Sequence, residues 1–248
     1  MATNNSPDDH DAVLQRIADR NPSRLGVGRA GSRPKTRTLL EFRSDHGVAR
    51  DAVQSHVSDE LVESMGLFPI QTLVEDKDDY LARPDKGREI SDETAALLRT
   101  ECKQAPQVQV IVADGLSSTA IERNIPDLLP ILTDGLDQRG LDVGTPIFVR
   151  YGRVDVMDAI GEELDAECCL ILIGERPGLA TAESLSAYMV YGPKRGTPTA
   201  KKTVISNIHA GGLPPVEAGA EIADLIAEMC AKQASGLDLT ADDREFAK

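Results

Sequence analysis

Two rhythms of apolar residues run along this chain, and the first is a set of short unbroken runs that each end in a polar, glycine-bearing turn. Val108 to Asp114 leads into Gly-Leu-Ser-Ser, Pro146 to Tyr151 into Gly-Arg-Val, and Cys168 to Gly174 into Glu-Arg-Pro-Gly. Runs of this length, bounded by turn residues, read as strands buried on both faces. Helix-length stretches separate them, so the predicted order is strand, turn, helix, strand, turn, helix, strand. Right-handed crossovers make such strands parallel and bring all three turns to one carboxyl edge, where open α/β sheets bind ligands.

The second rhythm is helical. Val13, Leu14 and Ile17 predict a helix over 9–19, broken at Asn21-Pro22. Residues 24–34 read as a glycine- and arginine-rich loop. A second helix from Lys35 carries Leu39, Leu40, Phe42, Val48, Ala52 and Val53, and 60–65 adds a turn. A strand is expected over 69–74, then an irregular charged run over 76–88. Ser91 or Asp92 caps a helix that ends before Pro106. The helix after Gly115 is expected to kink or break at Pro126 and Pro130. Val156, Met157, Ile160 and Leu164 form one stripe, a short helix is expected over 182–188, and a strand over 203–208. Pro214 and Pro215 open a final amphipathic helix. The expected fold is α/β, a doubly wound, mostly parallel sheet over 67–248, preceded by a helical N-terminal region over 1–66.

Composition narrows the function classes. The 248 residues suffice for a substantial core, and 41% apolar with 27% charged residues fits a globular chain. A formal net charge of −14 argues against nucleic-acid and anionic-membrane partners. No apolar stretch approaches membrane-spanning length, and the N-terminus lacks a signal-peptide pattern, so a cytoplasmic protein is expected. Cys102, Cys168, Cys169 and Cys230 have no C-x-x-C spacing and read as reduced, buried small hydrophobes. Cys168 and Cys169, neighbours in a strand, should face opposite sides. The four histidines have no metal-ligand spacing.

Gly26-Val27-Gly28-Arg29-Ala30-Gly31 matches the dinucleotide pattern G-x-G-x-x-G letter for letter. That fingerprint needs a preceding strand and a following helix. Here a helix precedes it and Pro34 interrupts the stretch after it, so the segment reads as a loop. A stand-alone nicotinamide-dependent oxidoreductase is the rival reading that rests on it. No nucleophile elbow occurs, and Ser117 and Ser118 have no evident histidine partner. Asp114 and Glu175, at adjacent strand ends, form either an acid pair or acceptors for turn amides. Gly152 and Gly174 suit close approach of a ligand or a tight turn alone. The Glu and Arg between glycines go beyond what a turn needs: a carboxylate there can accept bonds from amide groups on a ligand's rim while valine packs on its apolar face.

Several strings together resemble one family. Phe148-Val149-Arg150-Tyr151-Gly152-Arg153-Val154, Ile173-Gly174-Glu175-Arg176-Pro177-Gly178-Leu179, Glu183-Ser184-Leu185-Ser186 and Ile205-Ser206-Asn207-Ile208-His209 resemble the small subunit of ethanolamine ammonia-lyase. The likeness extends through Gly28-Arg29-Ala30-Gly31, Arg83-Pro84-Asp85 and Asp114-Gly115-Leu116-Ser117. The resemblance implies an adenosylcobalamin-dependent lyase converting ethanolamine to acetaldehyde and ammonia by a radical route. It further implies a Rossmann-like domain that holds the corrin against a large catalytic subunit, the two chains forming a hetero-oligomer. Carried over by motif, Val154, Glu175 and Val204 are the implied cobalamin contacts. Some relatives have Cys at the third position, so Val204 leaves only a backbone or packing contact. The D-x-H-x-x-G signature that replaces the cofactor's own axial base is missing, since Asp45-His46-Gly47 does not fit its spacing, which implies base-on binding. No catalytic residue or protein metal ligand is implied for this chain, and a non-catalytic scaffold subunit is the second rival. Relatives housed in a bacterial microcompartment carry a longer amphipathic N-terminal extension; the short acidic lead here makes the cytoplasm the default location, with a microcompartment as the alternative.

Overall fold

The computed structural model describes residues 7–20 and 27–239. The chain begins with α1 (Pro7–Ala18), a small antiparallel ribbon of β1 (Arg29–Ala30) and β2 (Arg33–Pro34), α2 (Thr36–Gln54) and α3 (Asp59–Ser64). Next come β3 (Phe68–Gln71), α4 (Lys77–Ala82), α5 (Asp92–Glu101), β4 (Val108–Ala113), α6 (Ser118–Gln138) and β5 (Ile147–Arg150). The chain continues through α7 (Val156–Leu164), β6 (Cys168–Gly174), β7 (Leu185–Tyr191), β8 (Thr203–Ile208) and α8 (Pro215–Lys232). Six strands form one sheet in the order β3-β5-β4-β6-β7-β8. The first four are parallel neighbours, while β7 runs antiparallel to β6 and to β8. The architecture is therefore α/β with a mixed, mostly parallel sheet.

Period-two alternation explains the two cores. Val108, Val110 and Val112 of β4 pack with α6 and α8, whereas Ile111 and Ala113 pack with α5 and α7. Cys168 joins the first cluster and Cys169 the second, as strand geometry requires, and all four cysteines are free. Every residue of β4 and β6 is buried, which is why these segments read as unbroken apolar runs rather than alternating ones. Ser91 caps α5 by accepting a bond from the Thr94 amide at 3.1 Å. Ser91→Ala should therefore lower stability by about 1 kcal/mol in urea unfolding; an unchanged midpoint would show that water replaces the cap without cost.

Three expectations are corrected. First, α6 is one unbroken helix through Pro126 and Pro130. The two prolines stand four apart, both on the exposed side, so the carbonyls of Glu122 and Pro126 that lose their donors lie toward water. The buried stripe of Ile121, Ile125, Leu128, Leu132 and Leu136 anchors the helix on both sides of the prolines. Second, the helix expected over 182–188 is the strand β7, zipped to β6 from Leu185–Gly174 to Tyr191–Cys168. Its Ala and Met suit a helix, but Leu185, Ala187 and Met189 share one face at period two. Third, the charged run over 76–88 is not irregular: it holds α4, capped by Asp76, and a one-turn 3-10 helix at Lys86–Arg88. Among the described residues no helix is long and apolar enough to cross a membrane.

Candidate functional site

The chain leaves β4 for β5 on one side and returns past it to β6 on the other, so its direction across the sheet reverses at β4. At the carboxyl ends of these strands lies an open cleft of about 530 Å³. The turn after β4 supplies Leu116, the turn after β5 Arg153 and Val154, and the turn after β6 Glu175; Tyr80 of α4 and Asn207 of β8 complete its walls. A cleft at such a reversal is the expected ligand position in an open α/β sheet.

Asp114 is one of the acceptors that build this edge. Its carboxylate is buried and takes bonds from the amides of Tyr151 at 3.0 Å and Gly152 at 3.2 Å. Burial pushes the carboxyl above its ordinary value, while these amides and the nearby Lys77 ammonium pull it back. The bonds hold Tyr151 at a φ of 59°, a left-handed conformation costly for a tyrosine. Ser117 caps α6 and donates to the Ala182 carbonyl at 2.5 Å; Ser118 donates to the Ser55 carbonyl at 2.8 Å. Both serines are buried in structural roles.

Glu175 is anchored on one oxygen only. Its Oε1 accepts from the Ser186 hydroxyl at 2.5 Å and from the Asn207 amide at 3.0 Å. Asn207 stands at a φ of 61° where the β7–β8 register slips between Leu185 and Ala187, a bulge that turns its N–H toward the carboxylate. Oε2 has no partner among the described residues. The acid pair of Asp114 and Glu175 is thus divided: one carboxylate is spent on backbone, the other half committed.

The glycines of these turns serve protein packing. A Cβ at Gly174 would lie 2.1 Å from the Ser117 carbonyl oxygen, and one at Gly152 2.8 Å from the Ala113 Cβ. Their missing side chains let strand-end turns touch one another, as the tight-turn reading requires, and Gly174 also lines the cleft.

Val154 and Glu175 line the same cleft. Val204 does not; it lies on β8 opposite Tyr188, a residue of the cleft wall, and is 48% exposed on the edge strand. Sequence reasoning missed Tyr80, Ser186 and Asn207. Tyr80 sits in a charged run without periodicity, and the latter two become visible only once β7 and β8 pair. The described part of the G-x-G-x-x-G match, Gly28 to Gly31, forms the β1–β2 ribbon with Gly31 at its turn, apart from the six-stranded sheet; Gly26 lies outside the described residues. His46 stands within α2, not in the cleft wall.

Fold and cleft together define an α/β protein with a ligand cleft at the carboxyl edge of a mostly parallel sheet. The family model described as ethanolamine ammonia-lyase light chain (EutC) matches residues 11–240. The ethanolamine ammonia-lyase small subunit of Clostridium perfringens is 52% identical over 234 residues, 94% of this chain and 79% of that protein. That of Listeria monocytogenes is 52% identical over 233 residues, with the same coverage. The Clostridium tetani counterpart is 53% identical over 218 residues, 88% of this chain and 74% of its own length. The chain belongs to the ethanolamine ammonia-lyase light-chain family, and its enzyme class is that of an ammonia-lyase subunit.

Proposed function

We propose that this chain binds and positions adenosylcobalamin, base-on, in a Rossmann-like domain over 67–248, against the large subunit of an ethanolamine ammonia-lyase. The observation that carries the reading is the convergence of Val154 and Glu175 on one cleft at the sheet's carboxyl edge. An uncommitted carboxylate oxygen, an apolar valine and a buried Arg153 Nε without a partner fit a group with an apolar ring, an amide-bearing rim and an anionic tail. Glu175 would accept from a rim amide, Val154 would pack on the ring, and Val204, on the edge strand beside Tyr188, would touch it by backbone or packing. When bound, the cofactor supplies the radical chemistry that converts ethanolamine to acetaldehyde and ammonia; the residues here hold and orient it. The open cleft suits a ligand shared with a second chain. So does the surface of α2, where Leu40 and Val48 are 59% and 58% exposed and only Ala52 is buried. The region over 1–66 would then pack partly on the large subunit. A cytoplasmic location belongs to the same reading and accords with four free cysteines.

The test is a titration of adenosylcobalamin, followed by absorbance, into the complex reconstituted with a large subunit. Glu175→Gln should weaken binding about 10-fold or more, as loss of a charged acceptor does, with subunit assembly unchanged. Unaltered affinity would favour a scaffold role. Acetaldehyde release by the isolated chain would overturn the division of labour.

A further inference from the structure

Two cations stand against one aromatic ring at the β5 side of the cleft. The Arg153 guanidinium lies 4.0 Å from the centre of the Tyr80 ring, and the Lys77 ammonium 5.2 Å from the same centre. The fork is held from several directions. Arg153 Nη2 donates to the Tyr80 carbonyl at 2.9 Å, the Arg153 amide donates to the Gly87 carbonyl at 2.7 Å, and the Tyr80 hydroxyl donates to the Gly152 carbonyl at 3.0 Å. Yet among the described residues Arg153 Nε is buried without a partner, and so is Nζ of Lys77, a residue 7% exposed. The carboxylate nearest in effect is Asp114, which acts on Lys77 through space and whose oxygens already hold two turn amides. Lys77 and Arg153 against Asp114 leave this wall one positive charge in excess, in a chain whose net charge is −14.

A buried, unpaired guanidinium N–H is costly, and folding leaves it so here while orienting the rest of the fork. A planar, pre-oriented fork backed by a second cation is the arrangement that recognises an oxyanion. We propose that the Tyr80–Arg153–Lys77 stack is an anion subsite of the cleft, with the Arg153 guanidinium, which lines the cleft, donating to a phosphodiester of the ligand and Lys77 supplying charge behind it. The proposal rests on the cobalamin reading, because the phosphodiester of the nucleotide loop is the one anionic group among that cofactor's carboxamides.

The experiment compares adenosylcobalamin with adenosylcobinamide, which lacks phosphate, ribose and base, each titrated by absorbance into the reconstituted two-subunit complex. Arg153→Gln should weaken cobalamin binding about 10- to 100-fold and leave cobinamide affinity within about twofold. Lys77→Met should act in the same direction with a smaller effect. Added salt should weaken cobalamin binding to the unaltered complex more steeply than to the Arg153→Gln complex. Equal losses for the two corrinoids, or no loss, would overturn the subsite. If Arg153→Gln does not assemble, the pair of affinities for Lys77→Met decides alone. Glu175→Ala separates the underlying reading: both corrinoids should bind less tightly, and if neither does, the cobalamin reading itself fails.

Discussion

Lys202→Met is expected to lower stability at pH 8 by about 3–5 kcal/mol. The Lys202 ammonium is buried at the start of β8, donating to Asp158 at 2.7 Å and to Asp155 at 2.5 Å. The Lys202 and Asp158 side chains are 1% and 2% exposed, and Asp158 Oδ1 has no partner among the described residues. Removing the lysine leaves a buried carboxylate with no counter-charge. The loss should depend on pH. Burial pushes the Asp158 carboxyl up to about 6, against the pull of Lys202. In the intact protein the folded state therefore binds more protons than the unfolded chain between about pH 4 and 6. The contribution of Asp158 to stability falls as pH rises through that window and is level above it. Without Lys202 the carboxyl rises further, so the variant regains stability toward pH 5 by taking up a proton, and its deficit is larger at pH 8. Urea unfolding of both proteins at pH 5 and 8 reads this directly. Lys202→Met combined with Asp158→Leu should recover much of the loss, since a well-packed apolar pair can replace a buried ionic one. A deficit that is small at pH 8, or equal at the two pH values, would show that water reaches the pair.

Gly115→Ala should cost about 2–5 kcal/mol from two additive causes. Gly115 has a φ of +59°, and a Cβ there would sit 2.3 Å from the Gly174 carbonyl oxygen and 2.7 Å from Ile173 Cγ1. The turns after β4 and β6 would have to part at the floor of the cleft. Gly140→Ala supplies the control: its φ is +69°, but nothing lies within 4 Å of the added carbon, so it carries only the backbone cost of about 1–2 kcal/mol. Thermal melts of the two variants should differ clearly, and corrinoid affinity should fall for Gly115→Ala alone. Equal melts would show that the two turns separate without strain.

Much of the sheet was legible because burial on both faces writes itself as unbroken apolar runs; β6 begins and ends at the residues the sequence indicated. β7 was not legible. Its Leu185, Ala187 and Met189 carry a period of two, but Ser, Ala and Met made a helix look as reasonable until β6 offered an edge to pair with. α6 differed the other way: proline chemistry predicted a kink or a break, the helix is unbroken, and the direction of the two prolines, both toward water, is set only by where the core lies. In the cleft, Glu175 was visible as an acid between turn glycines and Val154 as the opening of a helix after Gly152, and the family resemblance marked both as contacts. Tyr80 was not, because α4 is short and charged and reaches the cleft only through its contacts with the Gly152 and Arg153 turn.

By itself the sequence determined the class of fold, the edge that carries the ligand cleft and the family, because strand period, turn chemistry and long ordered motifs are local properties of the chain. Tertiary structure alone decided which oxygen of Glu175 is spent on Ser186 and Asn207, that Asp114 serves backbone, and that Arg153 and Lys77 meet over one ring with Nε and Nζ unpartnered among the described residues. The reason is physical. Hydrogen-bond and charge accounts close only between segments distant in sequence, and no local pattern records which distant group arrives.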